Sequence, residues 1–244
     1  MNSFSRIKVI AKRELLEYYV SPIAYIFLIT FLMLNGFFTF MVGAFFERGE
    51  ASLQPFFQWH PWLYLFLVPA IGMHIWAEER RSGTIEFLFT LPVTRTQTVI
   101  GKFLASWLFL AFALFLTFPI VITVGYLGEP DYGIIFSGYL GSLLMMGAFL
   151  SITVMTSAMT KNQVVSFIIS VVVCLFLILA GWPPVTRMVI DWAPNWLVDS
   201  VVAFSVMPHF EAMQRGVVDS RDLLYYVSVI VFCLFSTSVI LKSK

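Results

Sequence analysis

The chain has 244 residues, of which 59% are hydrophobic and 12% charged, and its net charge is +1. Soluble domains carry about 25% charged residues, so a water-soluble fold is excluded. The near-neutral balance equally gives no surface for a nucleic-acid partner.

Ahead of the first apolar run, Phe4, Ile7, Ala11, Leu15 and Tyr18 recur at helical spacing, with Arg6, Lys12, Arg13 and Glu17 largely on other faces. The pattern predicts an N-terminal amphipathic interfacial helix that turns into the bilayer at Ser21-Pro22; the plainer alternative is a charged lead-in. Pro22 to Phe46 is too long for a signal-peptide core and lacks a small-residue cleavage site, so it reads as a retained span. A hydrocarbon core takes about 20 apolar residues of helix. Six segments qualify, at about 22–46, 59–77, 103–127, 134–160, 164–185 and 223–241, and no linker divides them. The expected fold is all-α, a single polytopic membrane domain over 1–244 with six transmembrane helices.

Between the third and fourth spans, Gly128, Glu129, Pro130, Asp131 and Gly133 make a short acidic turn that closes a hairpin. On the fourth span, Gly133, Ser137 and Gly141 recur every fourth residue, as close helix packing prefers. The loop 187–222 is too polar to span, yet it holds Trp192, Trp196, Phe204 and Phe210 among Pro194 and Pro208. That mixture predicts short helices in or dipping into the outer interface. Threading six spans puts Arg6, Lys8, Lys12, Arg13, Arg80, Arg81, Arg95, Lys102, Lys161, Lys242 and Lys244 on one side, against Arg48, Arg187, Arg215 and Arg221 on the other. The richer side is cytoplasmic by the positive-inside rule, and both termini lie there.

Nothing in the spans supports an intramembrane enzyme. Paired carboxylates and a His/Glu zinc motif are missing, no Ser-His-Asp arrangement shares a plausible depth, and His60, His74 and His209 read as lone residues facing the interface. Cys174 and Cys233 lie in apolar runs, as small core residues do. No catalytic, metal or cofactor-binding residue is assigned.

The segment from Glu78 to Lys102 departs from a simple solvated loop. Gly83 breaks the helix leaving the membrane, Ile85, Phe87, Leu88, Phe89 and Leu91 need a covering surface, and Pro92 ends the run. Thr94 with Gln97 has the spacing of a capping box that starts the next helix. A short amphipathic helix across the cytoplasmic face follows, suited either to docking in a partner's groove or to resting on lipid.

The run Glu78-Glu79-Arg80, Gly83-Thr84-Ile85-Glu86, Leu91-Pro92-Val93-Thr94-Arg95 and Gly101-Lys102 resembles the signature of ABC-2 type transporter permeases. Arg13-Glu14 through Tyr18-Tyr19-Val20-Ser21-Pro22-Ile23-Ala24-Tyr25, and His209-Phe210-Glu211 with Arg215-Gly216-Val217-Val218-Asp219, are similar to the gliding-motility-associated branch. The resemblance implies a multi-pass permease of the inner (cytoplasmic) membrane, an exporter in which the segment between helices 2 and 3 is a coupling helix. It implies an ABC ATPase subunit as partner and a second permease copy or paralogue, and leaves room for an extracytoplasmic accessory subunit. ATP and Mg would be held by that ATPase, since no Gly-x-x-x-x-Gly-Lys-Ser/Thr occurs here. Within this reading the ATPase-coupling interface comprises Glu78, Glu79, Arg80, Gly83, Thr84, Glu86, Pro92 and Arg95, with Arg13 and Glu14 on the interfacial helix. The substrate site is left unassigned. A channel or structural membrane subunit without ATP coupling is the competing reading, and it has no need of a docking segment.

Overall fold

A computed structural model of the chain describes residues 3–86, 93–190 and 194–242. Among them all regular structure is helical. In chain order the helices are α1 (Ser3–Val20), α2 (Pro22–Phe37) continued by a π-helical turn (Phe38–Val42), α3 (Gln54–Gln58), α4 (His60–Gly72), α5 (His74–Ser82) and α6 (Arg95–Phe115). They continue as α7 (Pro119–Leu127), α8 (Tyr132–Met159), α9 (Gln163–Leu179), α10 (Pro183–Ile190), α11 (Asn195–Ala203), α12 (Val206–Gln214) and α13 (Ser220–Ile240).

Among the described residues four segments are long and apolar enough to cross a membrane: Pro22–Val42, Arg95–Leu127, Tyr132–Met159 and Ser220–Ile240. The other two expected spans are interrupted as helices. Within 59–77 the helix breaks at Met73, four residues after Pro69, whose missing N–H already removes one helical hydrogen bond. Ser157 of α8 fills that break. Its Oγ donates to the Met73 carbonyl at 2.8 Å and accepts from the Trp76 and Ala77 amides at 3.0 Å each. In the expected fifth span, α9 stops at Leu179 before Gly181 and the Pro183-Pro184 pair, after 17 residues.

α8 is the centre of the bundle: 67% of its apolar window is buried, against 17% for α13 and 28% for α2. It packs against α4, α5, α6, α9, α12 and α13 through buried Met145, Met146, Phe149, Leu150, Ile152 and Val154. Ile23, Ile26, Ile29 and Met33 on α2, and Val231, Phe232 and Phe235 on α13, point outward and exposed. In water such faces would be aggregation sites; in a bilayer they meet acyl chains.

The small-residue series on α8 is used differently from its spacing. Gly141 faces Met213 and Phe210 of α12 and Ser137 is buried, but Gly133 sits in the cap turn of Asp131. Gly138, outside the series, is the residue against which Phe57 packs. Asp131 Oδ1 accepts from the Gly133 and Ile134 amides at 2.8 and 3.2 Å, which stops the hairpin and starts α8. The loop after α9 forms the expected short helices, and the last of them, α12, is driven into the bundle by Val206, Met207, Phe210 and Met213.

His60 and His209 differ from the expectation of lone residues facing the interface. His60 is fully buried, with Nδ1 2.7 Å from Ser142 Oγ and 3.2 Å from the Tyr64 hydroxyl, and Nε2 3.1 Å from Asn35 Oδ1. Asn35 Nδ2 donates to the Phe31 carbonyl, so its Oδ1 must accept, and the His60 proton sits on Nε2. A neutral imidazole can thus be satisfied at both nitrogens in the core, joining α2, α4 and α8. His209 Nδ1 lies 2.6 Å from Asp222 Oδ1 and the ring stacks on Tyr225, tying α12 to the start of α13. Cys174 and Cys233 are buried and unpaired.

Candidate functional site

The amphipathic helix expected at the N-terminus is α1, but its stripe is turned largely onto protein. Ile7, Ile10, Ala11, Glu14 and Leu15 are half-buried and Tyr18 is buried, along the first half of α6, while Phe4, expected on the same stripe, is 79% exposed. Gly101 permits the approach: a Cβ there would stand 2.7 Å from Ile10 Cγ2. Tyr18 fixes the far end, with its hydroxyl 2.9 Å from Ser106 Oγ and its ring stacked on Phe109. Burial pushes the Tyr18 hydroxyl well above its ordinary value, so it stays a neutral donor.

Where α1, α5 and α6 meet, one ammonium holds two carboxylates. Lys102 Nζ is 2.9 Å from Glu14 Oε1 and 2.8 Å from Glu79 Oε1, with the lysine side chain 6% exposed. It also lies 5.6 Å from the Trp76 ring centroid, in cation–π range. A lysine so desolvated is held only because its charge is matched, and removing both acids would leave buried charge uncompensated. Burial raises the Glu79 carboxyl above its ordinary value, and Lys102 opposes that rise. Glu79 Oε2 and Arg80 Nε are buried with no hydrogen-bond partner among the described residues.

α5 ends beyond this joint. Gly83 takes the left-handed conformation, φ +76°, that a helix C-terminus commonly needs, and nothing lies within 4 Å of where its Cβ would be. Thr84 Oγ1 reaches Ser82 Oγ at 2.9 Å, and the backbone is helical again at 84–86 with Glu86 exposed. The apolar run Phe87 to Leu91 and Pro92 lie outside the described residues. The chain re-enters at Thr94, which caps α6 as its spacing predicts: Gln97 N donates to Thr94 Oγ1 at 3.3 Å, and Thr94 N to Gln97 Oε1 at 3.1 Å.

The sequence-predicted residues are thus partly gathered. Glu14 and Glu79 meet on Lys102; Arg13 bonds Glu17 at 3.2 Å on the exposed side of α1; Glu78, Glu86 and Thr84 are exposed around the Gly83 turn. Arg95 stands at the first turn of α6. Lys102 was read as the end of a motif, and its role as the hub was missed. The signal was available: a lone lysine at the mouth of an apolar helix calls for acids nearby. No group of three or more His, Cys, Asp or Glu suited to a metal is found among the described residues.

A comparison with protein families matches residues 63–193 to the ABC-2 family transporter proteins, more than half of the chain. The chain belongs to that family. It is a multi-pass membrane protein and a transport component, an ABC-2 permease. The match takes in α4 to α10, and with them every predicted coupling residue from Glu78 to Arg95 and the Lys102 hub. α1 with Arg13 and Glu14, and α12 with His209, lie outside it, as does the likeness to the gliding-motility-associated branch that those stretches suggested. A search of curated proteins finds no match for the chain.

Proposed function

We propose that this ABC-2 permease is the membrane half of an ATP-driven exporter of the cytoplasmic membrane, coupled to ATP hydrolysis by a separate ABC ATPase that binds ATP and Mg. The observation that carries the reading is the Lys102 joint: the exposed turn at Gly83 is connected through Glu79, Lys102 and Glu14 to three helices at once. A partner pressing on 78–95 would move α1 and α6 with α5, because none of the three can shift alone without separating buried charge. The turn's exposed Glu78, Thr84 and Glu86 supply the contact, and beside them Glu79 Oε2 and Arg80 Nε have no hydrogen-bond partner among the described residues.

In this reading six traversals place both ends of the chain in the cytoplasm. Supporting it, α4 and α5 run from Ser142 to Ser157 along α8, α6 and the turn after it run back from Lys102 to Thr117 beside Tyr139, and α9 runs from Thr156 to Ser205. A second copy or paralogue completes the transport path, and the segment 78–102 is the coupling segment. Coupling requires contacts that differ between the ATPase's states.

Mild-detergent purification from the native cell, with mass spectrometry and an ATPase assay, tests this. A stoichiometric P-loop ATPase should accompany the chain, and Glu86→Arg should leave insertion intact while uncoupling hydrolysis from transport. Recovery of the chain alone in several mild detergents would favour the channel reading, and unchanged transport by Glu86→Arg would remove Glu86 from the contact.

A further inference from the structure

A cavity of about 420 Å³ opens at the elbow between α1 and α2, walled by α4, α5 and Gln163 at the head of α9. Its size is that of a small-molecule site. Two features set it apart from a packing defect. Glu78 and Arg81, one turn apart on α5, both line it, and among the described residues neither forms an ion pair, with each other or with anything else. The cavity's other two carboxylates are committed elsewhere, Glu14 to Lys102 and Glu17 to Arg13. The rest of the wall includes apolar Ile23, Ala70 and Ile71 together with polar Ser21, His74 and Gln163, and His74 is a titratable group one turn before Glu78 on the same helix.

An uncommitted guanidinium and an uncommitted carboxylate side by side fit a ligand with the opposite pair of charges, and the apolar end fits a chain attached to it. The elbow itself is where an interfacial helix gives way to a span, the depth at which phospholipid head groups meet acyl chains. We propose that this cavity binds a zwitterionic phospholipid of the leaflet on which α1 lies, one with a primary ammonium: phosphate on Arg81, ammonium on Glu78, and one acyl chain along Ile23, Ala70 and Ile71. A primary ammonium is selected over a quaternary one because only the former has N–H donors for the Glu78 carboxylate. The site shares Glu78 with the proposed ATPase contact, so its test is read on lipid retention by the permease alone, without an ATPase.

The test uses the full chain in nanodiscs holding equal parts of phosphatidylethanolamine, phosphatidylcholine and phosphatidylglycerol with matched chains, and native mass spectrometry counts the lipids retained. Phosphatidylethanolamine should be retained at least about threefold above each of the others. The preference should vanish in Glu78→Gln and in Arg81→Gln, both at exposed positions where the fold is not at risk, and Ala70→Phe, which fills the apolar end, should expel the lipid. Retention in proportion to the membrane, or a preference that survives all three variants, overturns the assignment. Displacement by soluble glycerophosphoethanolamine, which has the head group and no chains, would overturn the amphiphile assignment in particular.

Discussion

Lys102 is matched by more acid than it carries base, since two carboxylates share one ammonium with the nearest further cation, Arg13, 3.7 Å from Glu14. Lys102→Met would leave Glu14 and Glu79 facing each other with their counter-charge gone, at a cost of about 3–5 kcal/mol. Thermal unfolding in detergent should show the loss, and Lys102→Met combined with Glu14→Gln and Glu79→Gln should recover most of it. A single Lys102→Met variant that melts like the wild type would show that the three helices are held by packing alone. Glu79 adds a dependence on pH. Its carboxyl is raised by burial above the ordinary value of 4.5, so the stability linked to its proton is present below that value and lost as pH rises through the raised one. Glu79→Gln cannot ionise and should gain on the wild type across that window, readable as melting curves between about pH 4 and about pH 7. Glu14 and Glu79 could be nominated from the sequence because the family's motif contains or flanks them; their meeting on one lysine depends on residues 88 and 23 positions apart in the chain.

At the scale of elements, the joints were harder to read than the helices. The capping box at Thr94 and the stop at Gly83 follow from local chemistry and were legible. The break at Met73 was not, because it depends on Ser157 reaching across from α8 to occupy three backbone groups that a continuous helix would have used itself. Ser157→Ala should therefore strand those groups in a buried setting and lower stability by about 1–3 kcal/mol. Gly83→Ala has open space for its Cβ and should cost about 1–2 kcal/mol, through the backbone conformation alone. Chemical or thermal unfolding reads both variants: a Ser157→Ala variant as stable as the wild type would mean that the Met73 break is tolerated without its hydroxyl. The stripe on α1 was similarly legible as amphipathic but not in its partner, since periodicity states that a face is apolar and leaves open whether lipid or protein covers it.

For the molecule as a whole, the proposed orientation rests on charge and is tested by accessibility. Cysteines placed near Lys161 should be labelled from the cytoplasm and those near Asp131 from the outside; the reverse pattern would invert the threading. Composition and apolar run lengths determined class, helical architecture and membrane residence, because each is a sum over many residues in which single errors average out. The motif around 78–102, contiguous in the chain, carried the resemblance to the family that the match over 63–193 shows. Tertiary structure alone decided that His60 is a buried, doubly bonded node, that α12 enters the bundle, that Lys102 is the hub of three helices, and that Glu78 and Arg81 open on one cavity. Those outcomes depend on pairs distant in sequence, and in a chain with so little charge each polar contact in the interior is fixed by which few partners the packing brings within reach.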